Sequence, residues 1–251
     1  MSVNELETAE ARAAAAGGEH ATKRAYVKRI FSQIAPRYDL LNHLLSLNVD
    51  TIWRRAAIDG LDWRRRPAGT YLDLCAGTLD IAATLARQPG FHGRVIGADF
   101  AEPMLRAGAG KAPPSVVSPV VADALDLPLG DDSITAAIVA FGIRNVSDLD
   151  GVLAEVHRVL ERGARFIILE FTNPRSSVVR ALYHLYFHRI VPRIGALVSG
   201  HRGAYAYLPL SVAHFATAEE LAARMRRAGF SRVQWRTLTF GVAAIHAGTK
   251  H

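Results

Sequence analysis

From residue 70 onward, short runs of apolar residues alternate with stretches whose apolar positions recur every three to four residues. The runs at 71–74, 95–98, 116–121, 134–140 and 166–169 are short and continuous, and they read as buried strands. Between them, 80–87, 103–109 and 149–160 carry the helical period. Strands separated by helices imply parallel crossovers, so the chain is predicted to be α/β: a doubly wound, mostly parallel sheet covered on both faces. The rhythm breaks after Glu170. An apolar stretch studded with Arg and His fills 177–199, a helix follows at 218–228, and runs at 233–238 and 242–247 flank Phe240-Gly241 as a predicted C-terminal β-hairpin.

Upstream, 25–34 and 40–57 are predicted as helices, the second with Leu41, Leu44, Leu45, Ile52 and Trp53 at helical spacings. Residues 64–69, Arg-Arg-Arg-Pro-Ala-Gly, read as a linker. The expected organisation is a flexible tail at 1–22, frayed or weakly helical, a helical region at 23–66, and a main domain at 67–251 with an inserted helical segment at about 174–212. The tail begins with Glu5, Glu7 and Glu10 and continues alanine-rich to Gly18, so it has neither the basic nor the apolar part of an export signal.

A chain of 251 residues buries roughly 70 to 75% of its unfolded surface and needs no staples. Its single cysteine, Cys75, excludes a disulfide framework and fits a reducing cytoplasm. Charge-free stretches such as 133–143 and 237–249 fall short of the ~20 apolar residues of a membrane-spanning helix. The net charge of +7 hides an asymmetry: 71–170 is net −5 and 171–251 net +9. An acidic middle suits a cationic ligand, and a basic end suits phospholipid, a phosphorylated ligand or nucleic acid, with a solvated Arg-rich face as the plainer explanation.

In an open α/β sheet, ligands bind outside the carboxyl ends of the strands. The first strand runs into Asp73-Leu74-Cys75-Ala76-Gly77-Thr78-Leu79-Asp80, and the second ends in Asp99. A glycine turn followed by an acid on the next strand is a plan for holding a nucleoside by its ribose hydroxyls. Nicotinamide cofactors and S-adenosylmethionine share it, but a dinucleotide also needs G-x-G-x-x-G around its pyrophosphate. Here Gly77 stands alone between Asp73 and Asp80, carboxylates that repel a pyrophosphate and suit an ammonium and a sulfonium. Asp123, in Ala122-Asp123-Ala124 after the third strand, is placed to accept from an adenine amino group while the Ala124 backbone brackets the ring. Each acid alone is as well explained as a cap. Together they favour S-adenosylmethionine.

These residues resemble the class I S-adenosylmethionine-dependent methyltransferases, and the flanking motifs resemble one family within them, the menaquinone/ubiquinone-biosynthesis C-methyltransferases. The likeness runs from about residue 26 to 250. It is carried by Tyr38-Asp39-x-x-Asn42 with Ser46 and Trp53, by Phe141-Gly142-Ile143-Arg144-Asn145-Val146, and by Arg158-Val159-Leu160 leading to Leu169-Glu170-Phe171-Thr172. Pro192-Arg193-Ile194-Gly195, Tyr205-x-Tyr207-Leu208 and Ala228-Gly229-Phe230 complete it. The resemblance implies a Rossmann-like class I methyltransferase fold in which 23–66 is a lid and 174–212 a substrate segment. It implies donor contacts at Asp73, Gly77, Thr78, Asp99, Asp123, Ala124 and Ala140, and methyl transfer to a ring carbon of a reduced prenylated quinone. The sequence departs from the family at Leu79, where glycine is usual, at Asp50 in place of His, and at Ala140 in place of Ser or Thr. It also reads Glu161-Arg162-Gly163-Ala164 where Lys-Pro-Gly-Gly is usual.

A hydroquinone carbon becomes a good nucleophile when its neighbouring hydroxyl approaches the phenolate, whose pKa should lie near the ~10 of tyrosine. Arg144 and Asn145, just past the fourth strand, are the candidates to stabilise that phenolate, Arg144 as a guanidinium rather than a base. A loop pairing of Arg144 with Asp148 or Asp150 is the alternative, and a water on Asp99 or Asn145 is the candidate proton acceptor. Tyr38, Asp39 and Asn42 on the lid, and Tyr205 and Tyr207 on one face of an extended segment, are candidates to contact the quinol; packing accounts for the aromatics equally well. Glu170 either positions substrate through Thr172 and Asn173 or caps a turn. No metal is expected, because His184 and His188 lack a third ligand motif. Nucleic acid is not expected either, since Arg175 and Ser176 follow Asn173-Pro174 where a base-modifying enzyme needs Pro and an aromatic. The expected partners are the prenylated quinol, a peripheral membrane contact through 178–198 at the cytoplasmic face, and a second copy or other quinone-biosynthesis enzymes. A methyltransferase for another small molecule and a non-catalytic donor-binding assembly protein are the competing functions.

Overall fold

In the computed structural model of the chain, which describes residues 3–16, 20–39, 46, 48–174, 176–186 and 202–251, seven strands form one sheet. They are β1 (Thr70–Leu74), β2 (Arg94–Asp99), β3 (Val117–Val121), β4 (Ile134–Ala140), β5 (Leu160–Phe171), β6 (Phe230–Leu238) and β7 (Ala243–Lys250). Their order is β3-β2-β1-β4-β5-β7-β6. The first five run parallel, and β7 enters antiparallel between β5 and β6. The C-terminal hairpin expected from the sequence thus closes one edge. The order reverses at β1, which has β2 on one side and β4 on the other, so the carboxyl ends of β1 and β4 open the ligand crevice.

Alternation along the strands sends neighbouring residues into two cores. Leu72, Leu74, Ala137, Val139, Phe166 and Ile168 face one side, against Val152, Leu153 and Val156 of α6 (Leu149–Val159) and Leu221, Ala222 and Met225 of α9 (Ala218–Arg227). Tyr71, Ala136, Ile138, Ile167 and Leu169 face the other. There they meet Trp53, Ala57 and Ile58 of α3 (Val49–Gly60), Ile81, Ala82 and Leu85 of α4 (Asp80–Ala86), and Leu105 of α5 (Glu102–Ala107). Each such side chain contributes about 1.5–3 kcal/mol by leaving water, so strands buried on both faces read as unbroken apolar runs. The covering helices start where local chemistry dictates. Asp148 accepts from the Gly151 N–H at the head of α6, and Thr217 with Glu220 forms a capping box on α9.

The N-terminal region differs from the expectation in two ways. Residues 1–22, expected as a flexible, frayed or weakly helical tail, contain α1 (Val3–Ala15), and it is packed: Ala11, Ala14 and Ala15 are buried against Tyr26, Val27 and Ile30 of α2 (His20–Ile34) and Tyr207 of α8 (Arg202–Ala213). Alanines pack backbone closely on backbone, a role that composition alone does not reveal. Residues 49–66, expected within the lid, lie on the sheet, since α3 and Trp63 belong to its core. Of the inserted segment, α7 (Ser177–Leu185) and α8 are helical, and 187–201 lie outside the described residues.

Candidate functional site

The loop after β1 turns through left-handed backbone three times, with φ of +53° at Cys75, +52° at Gly77 and +64° at Leu79. Glycine takes this conformation freely, whereas leucine does so at a cost of about 1–2 kcal/mol. Leu79 is held there by burial against the β2 backbone: a Cβ on Gly97 would stand 2.4 Å from its Cδ2. The tight turn the family builds with glycine therefore survives at this position with a leucine. Gly142 plays a matching part on the β4 side, where any Cβ would collide with the Cβ of Cys75 at 2.4 Å.

A cavity of about 730 Å³, its mouth included, lies over these strand ends. Gly77, Asp99, Asp123, Ala124, Ala140, Asn145 and Tyr38, all singled out in the sequence, line it. Asp99 is buried and accepts from two backbone N–H groups, Gly77 at 2.8 Å on Oδ2 and Ala101 at 2.8 Å on Oδ1. Each oxygen keeps a further lone pair, which is what two adjacent hydroxyls need. Burial raises its pKa and the two N–H donors oppose that rise. Asp123 accepts from Leu125 N–H at 3.0 Å and pairs with Arg24 of α2 at 2.8 Å, across the cavity mouth. The Oδ1 of Asn145 is buried with no partner among the described residues. Acids, an orphaned acceptor and an apolar lining of Val27, Phe31, Phe100 and Met104 fit a cationic nucleoside, the S-adenosylmethionine expected from the sequence.

Other predicted site residues lie elsewhere. Asp73 is not in the cavity wall: it sits buried behind the loop, where Oδ2 accepts from Ala82 N–H at 3.0 Å and burial pushes its pKa up to about 7. It fastens α4 to β1. The Thr78 hydroxyl donates to Asp39, and Lys111 Nζ bridges Asp39 to Asp80. Asp39 and Thr78 therefore tie the lid to the donor loop, outside the cavity wall. Tyr205 and Tyr207 stand on the helix α8, not on the extended segment expected from the sequence. Tyr207 packs against Tyr26, ring centroids 5.5 Å apart. Asn42 lies outside the described residues.

Arg144 is buried and bound on several sides. Its Nη1 donates to Glu170 Oε1 at 2.7 Å and to the Phe141 carbonyl, and its Nε donates to Ser211 Oγ of α8 at 3.3 Å. Its own N–H and that of Phe171 donate to Glu170. Asp148 and Asp150, the partners of the alternative reading, are taken instead by the α6 cap and by Arg224. Arg144 does not line the cavity, but its chain neighbours Phe141, Gly142 and Asn145 do. Sequence reading missed Arg24, Lys23 and the Glu170 pairing. Phe100, directly after Asp99, is a missed lining residue that a neighbouring motif could have flagged.

Comparisons with known proteins agree with this architecture. The profile of the ubiE/COQ5 methyltransferase family matches residues 19–250. The demethylmenaquinone methyltransferase of Thermus thermophilus is 48% identical over 224 residues, 88% of this chain and 100% of that one. The ubiquinone/menaquinone biosynthesis C-methyltransferase UbiE of Geobacter sulfurreducens is 42% identical over 228 residues, 89% of this chain and 88% of that one. Among solved structures, the [4+2]-cyclase SpnF superposes with a TM-score of 0.67 at 16% identity, covering 90% of this chain and 96% of that one. A methyltransferase described as a possible histamine N-methyltransferase, from Thermotoga maritima, gives 0.58 at 20% identity, covering 90% and 100%. At such identities the superpositions speak to the fold alone, a Rossmann-like class I methyltransferase.

Proposed function

The chain belongs to the ubiE/COQ5 methyltransferase family, and from that premise we propose that its methyl acceptor is a ring carbon of a reduced, prenylated quinone. It is an S-adenosylmethionine-dependent methyltransferase of quinone biosynthesis. The acceptor reading is carried by one juxtaposition: Asn145, whose buried Oδ1 has no partner among the described residues, lines the cavity one residue from the buried guanidinium of Arg144. An amide oxygen takes a ring hydroxyl, and a fixed cation favours that oxygen as it becomes a phenolate. The relatives named as demethylmenaquinone and ubiquinone/menaquinone methyltransferases support a quinol in that place.

The roles follow from position. Asp99 holds the ribose hydroxyls, Gly77 lets the loop backbone approach the donor, Asp123 and Ala124 hold the adenine, and Ala140 leaves room beside them. The donor supplies an electrophilic methyl on a sulfonium. The residues around it exclude water and fix the acceptor ring, a placement worth several kcal/mol on its own. Arg24 pairs with Asp123 across the mouth, so α2 covers the site. Incubation with S-adenosylmethionine and a reduced demethylated quinone is expected to yield the C-methylated product by mass spectrometry. Asp99→Ala is expected to weaken donor binding by about 1.5–3 kcal/mol in calorimetry. Donor binding without methylation of any reduced quinone would refute the acceptor, and unchanged affinity in the variant would remove the ribose assignment.

The same reading places the enzyme at the cytoplasmic face of a membrane, because a prenylated quinol resides in lipid. Val178 and Leu185, seven residues apart on α7, are 67% and 51% exposed, with Arg180 exposed on the same helix. Apolar residues in water beside a cation support interfacial contact. Among the described residues no helix is long and apolar enough to cross a membrane, and the contact proposed is a peripheral one. Sedimentation with anionic vesicles is expected at low salt and lost at high salt, and Val178→Asp with Leu185→Asp should abolish it; vesicle binding untouched by that pair would exclude α7.

A further inference from the structure

The cavity has two walls. The strand ends supply one through Gly77, Asp99 and Asp123, and the N-terminal region supplies the other through Arg24, Val27, Phe31 and Tyr38. A donor held between them leaves when the walls part, so the contacts that join the walls set how long it stays. Tyr38 lies over the donor loop: a Cβ on Gly77 would stand 3.9 Å from its Cε1. Its ring also meets that of Phe31, centroids 5.9 Å apart, and packs against Ala35, Ala101 and Met104.

Asp39, the next residue, carries a polar attachment. It accepts from the Thr78 hydroxyl on Oδ1 and from Lys111 Nζ on Oδ2, each at 2.5 Å. The same Nζ donates to Oδ1 of Asp80, the first residue of α4, at 2.5 Å. Lys111 comes from the segment between α5 and β3. That segment is pressed against the donor loop, since a Cβ on Gly108 would stand 2.4 Å from the Thr78 carbonyl oxygen. The Lys111 backbone is fixed in turn: its N–H donates to the Gly108 carbonyl at 3.2 Å, and its carbonyl accepts from Arg87. One ammonium thus joins Tyr38-Asp39 to the start of α4 across the end of the donor loop.

The strength of this tie follows from its charges. Asp39 and Asp80 each place an oxygen 2.5 Å from one Nζ, so without that ammonium two carboxylates would face each other at about 5 Å or less. Lys111 removes that repulsion as well as supplying attraction. Its side chain is 23% exposed, so solvent and salt screen it incompletely. A second ion pair between the walls, Arg24 with Asp123, has its Arg side chain 57% exposed, the situation in which an ion pair contributes little.

We propose that Lys111 is a positioning residue for the methyl donor: by holding Asp39 to Asp80 it keeps Tyr38 down on Gly77 and slows the release of S-adenosylmethionine. The inference rests on the donor site and is independent of which molecule accepts the methyl. Lys111 does not line the cavity, so it acts on the donor through Tyr38 and the loop and not by contact.

Release of radiolabelled S-adenosylmethionine into an excess of unlabelled donor reads the residence time directly. Lys111→Met is expected to release it about tenfold faster than wild type, because attraction is lost and two like charges are left together. Lys111→Arg, whose guanidinium also reaches two carboxylates, should stay within about threefold of wild type. Lys111→Met with Asp80→Asn should regain roughly threefold over Lys111→Met alone, because one of the two repelling charges is gone. A side chain that only filled space would gain nothing from neutralising Asp80. Amide hydrogen exchange gives a second readout: donor binding should protect residues 31–39 in wild type and in Lys111→Arg, and protect them less in Lys111→Met. Failure of wild type to bind the donor would remove the donor site and the proposal with it. With wild-type binding intact, wild-type release from Lys111→Met, or equal release from Lys111→Met with and without Asp80→Asn, would overturn the proposal alone and leave Lys111 as an ordinary ion pair.

Discussion

Replacing Arg144 by alanine or by lysine is expected to cut methyl transfer roughly 10²-fold or more while leaving S-adenosylmethionine affinity close to that of wild type. The guanidinium lies outside the cavity wall, so no donor contact is lost. What is lost is a fixed positive charge beside Asn145 and the brace that shapes the loop. Nη1 reaches both Glu170 and the Phe141 carbonyl, and Nε reaches Ser211. Lysine keeps the charge, but a single ammonium on a flexible stem cannot span those three partners. The loop carrying Phe141, Gly142 and Asn145 would shift, and a displacement of about 1 Å at a reacting centre costs on the order of 10²-fold. Single-turnover kinetics with pre-bound donor isolates the effect. Wild-type rates in both variants would reduce Arg144 to a structural ion pair.

The sheet and the donor loop were legible because their signals are local. Continuous apolar runs mark strands buried on both faces, and Asp99, Asp123 and Gly77 occupy strand ends whatever surrounds them. Asp73 stands behind the loop and not in the cavity wall for an instructive reason. A strand-end acid facing a ligand and one that pins the following helix stand at the same sequence position, and only the Ala82 N–H at 3.0 Å separates them. Tertiary partners were hidden throughout. Glu170 and Arg144 lie 26 residues apart, and Arg24 finds Asp123 across the whole donor loop. Asp148 and Asp150, the nearer acids, were already claimed by a helix cap and by Arg224. The Tyr205-x-Tyr207 pair was misread because two residues of spacing suit a strand, while α8, with Pro209 inside it, is helical through packing against α1.

The buried Arg144–Glu170 pair should respond to its two deletions unequally. Glu170 is fully buried, and its carboxyl is pushed up by that burial while Arg144 and the N–H groups of Arg144 and Phe171 hold it down. Remove Arg144 and the largest opposing influence goes, so the carboxyl takes up a proton and the buried site becomes neutral. Remove Glu170 and the guanidinium has no such escape, because arginine keeps its charge at any accessible pH. Glu170→Ala is therefore expected to cost roughly 3–5 kcal/mol of folding stability, the usual consequence of stranding one member of a buried pair. Arg144→Ala should cost clearly less near neutral pH. The sign of its pH dependence follows. In that variant the folded state holds a proton on Glu170 that the unfolded state releases above its ordinary carboxylate pKa, so stability falls as pH rises from about 4.5 towards the raised value. Urea unfolding of wild type, both single variants and the double variant across that range gives the coupling directly. Equal losses for the two single variants at neutral pH, or an Arg144→Ala stability that does not fall as pH rises, would mean that Glu170 stays ionised without its partner and that solvent reaches this part of the sheet.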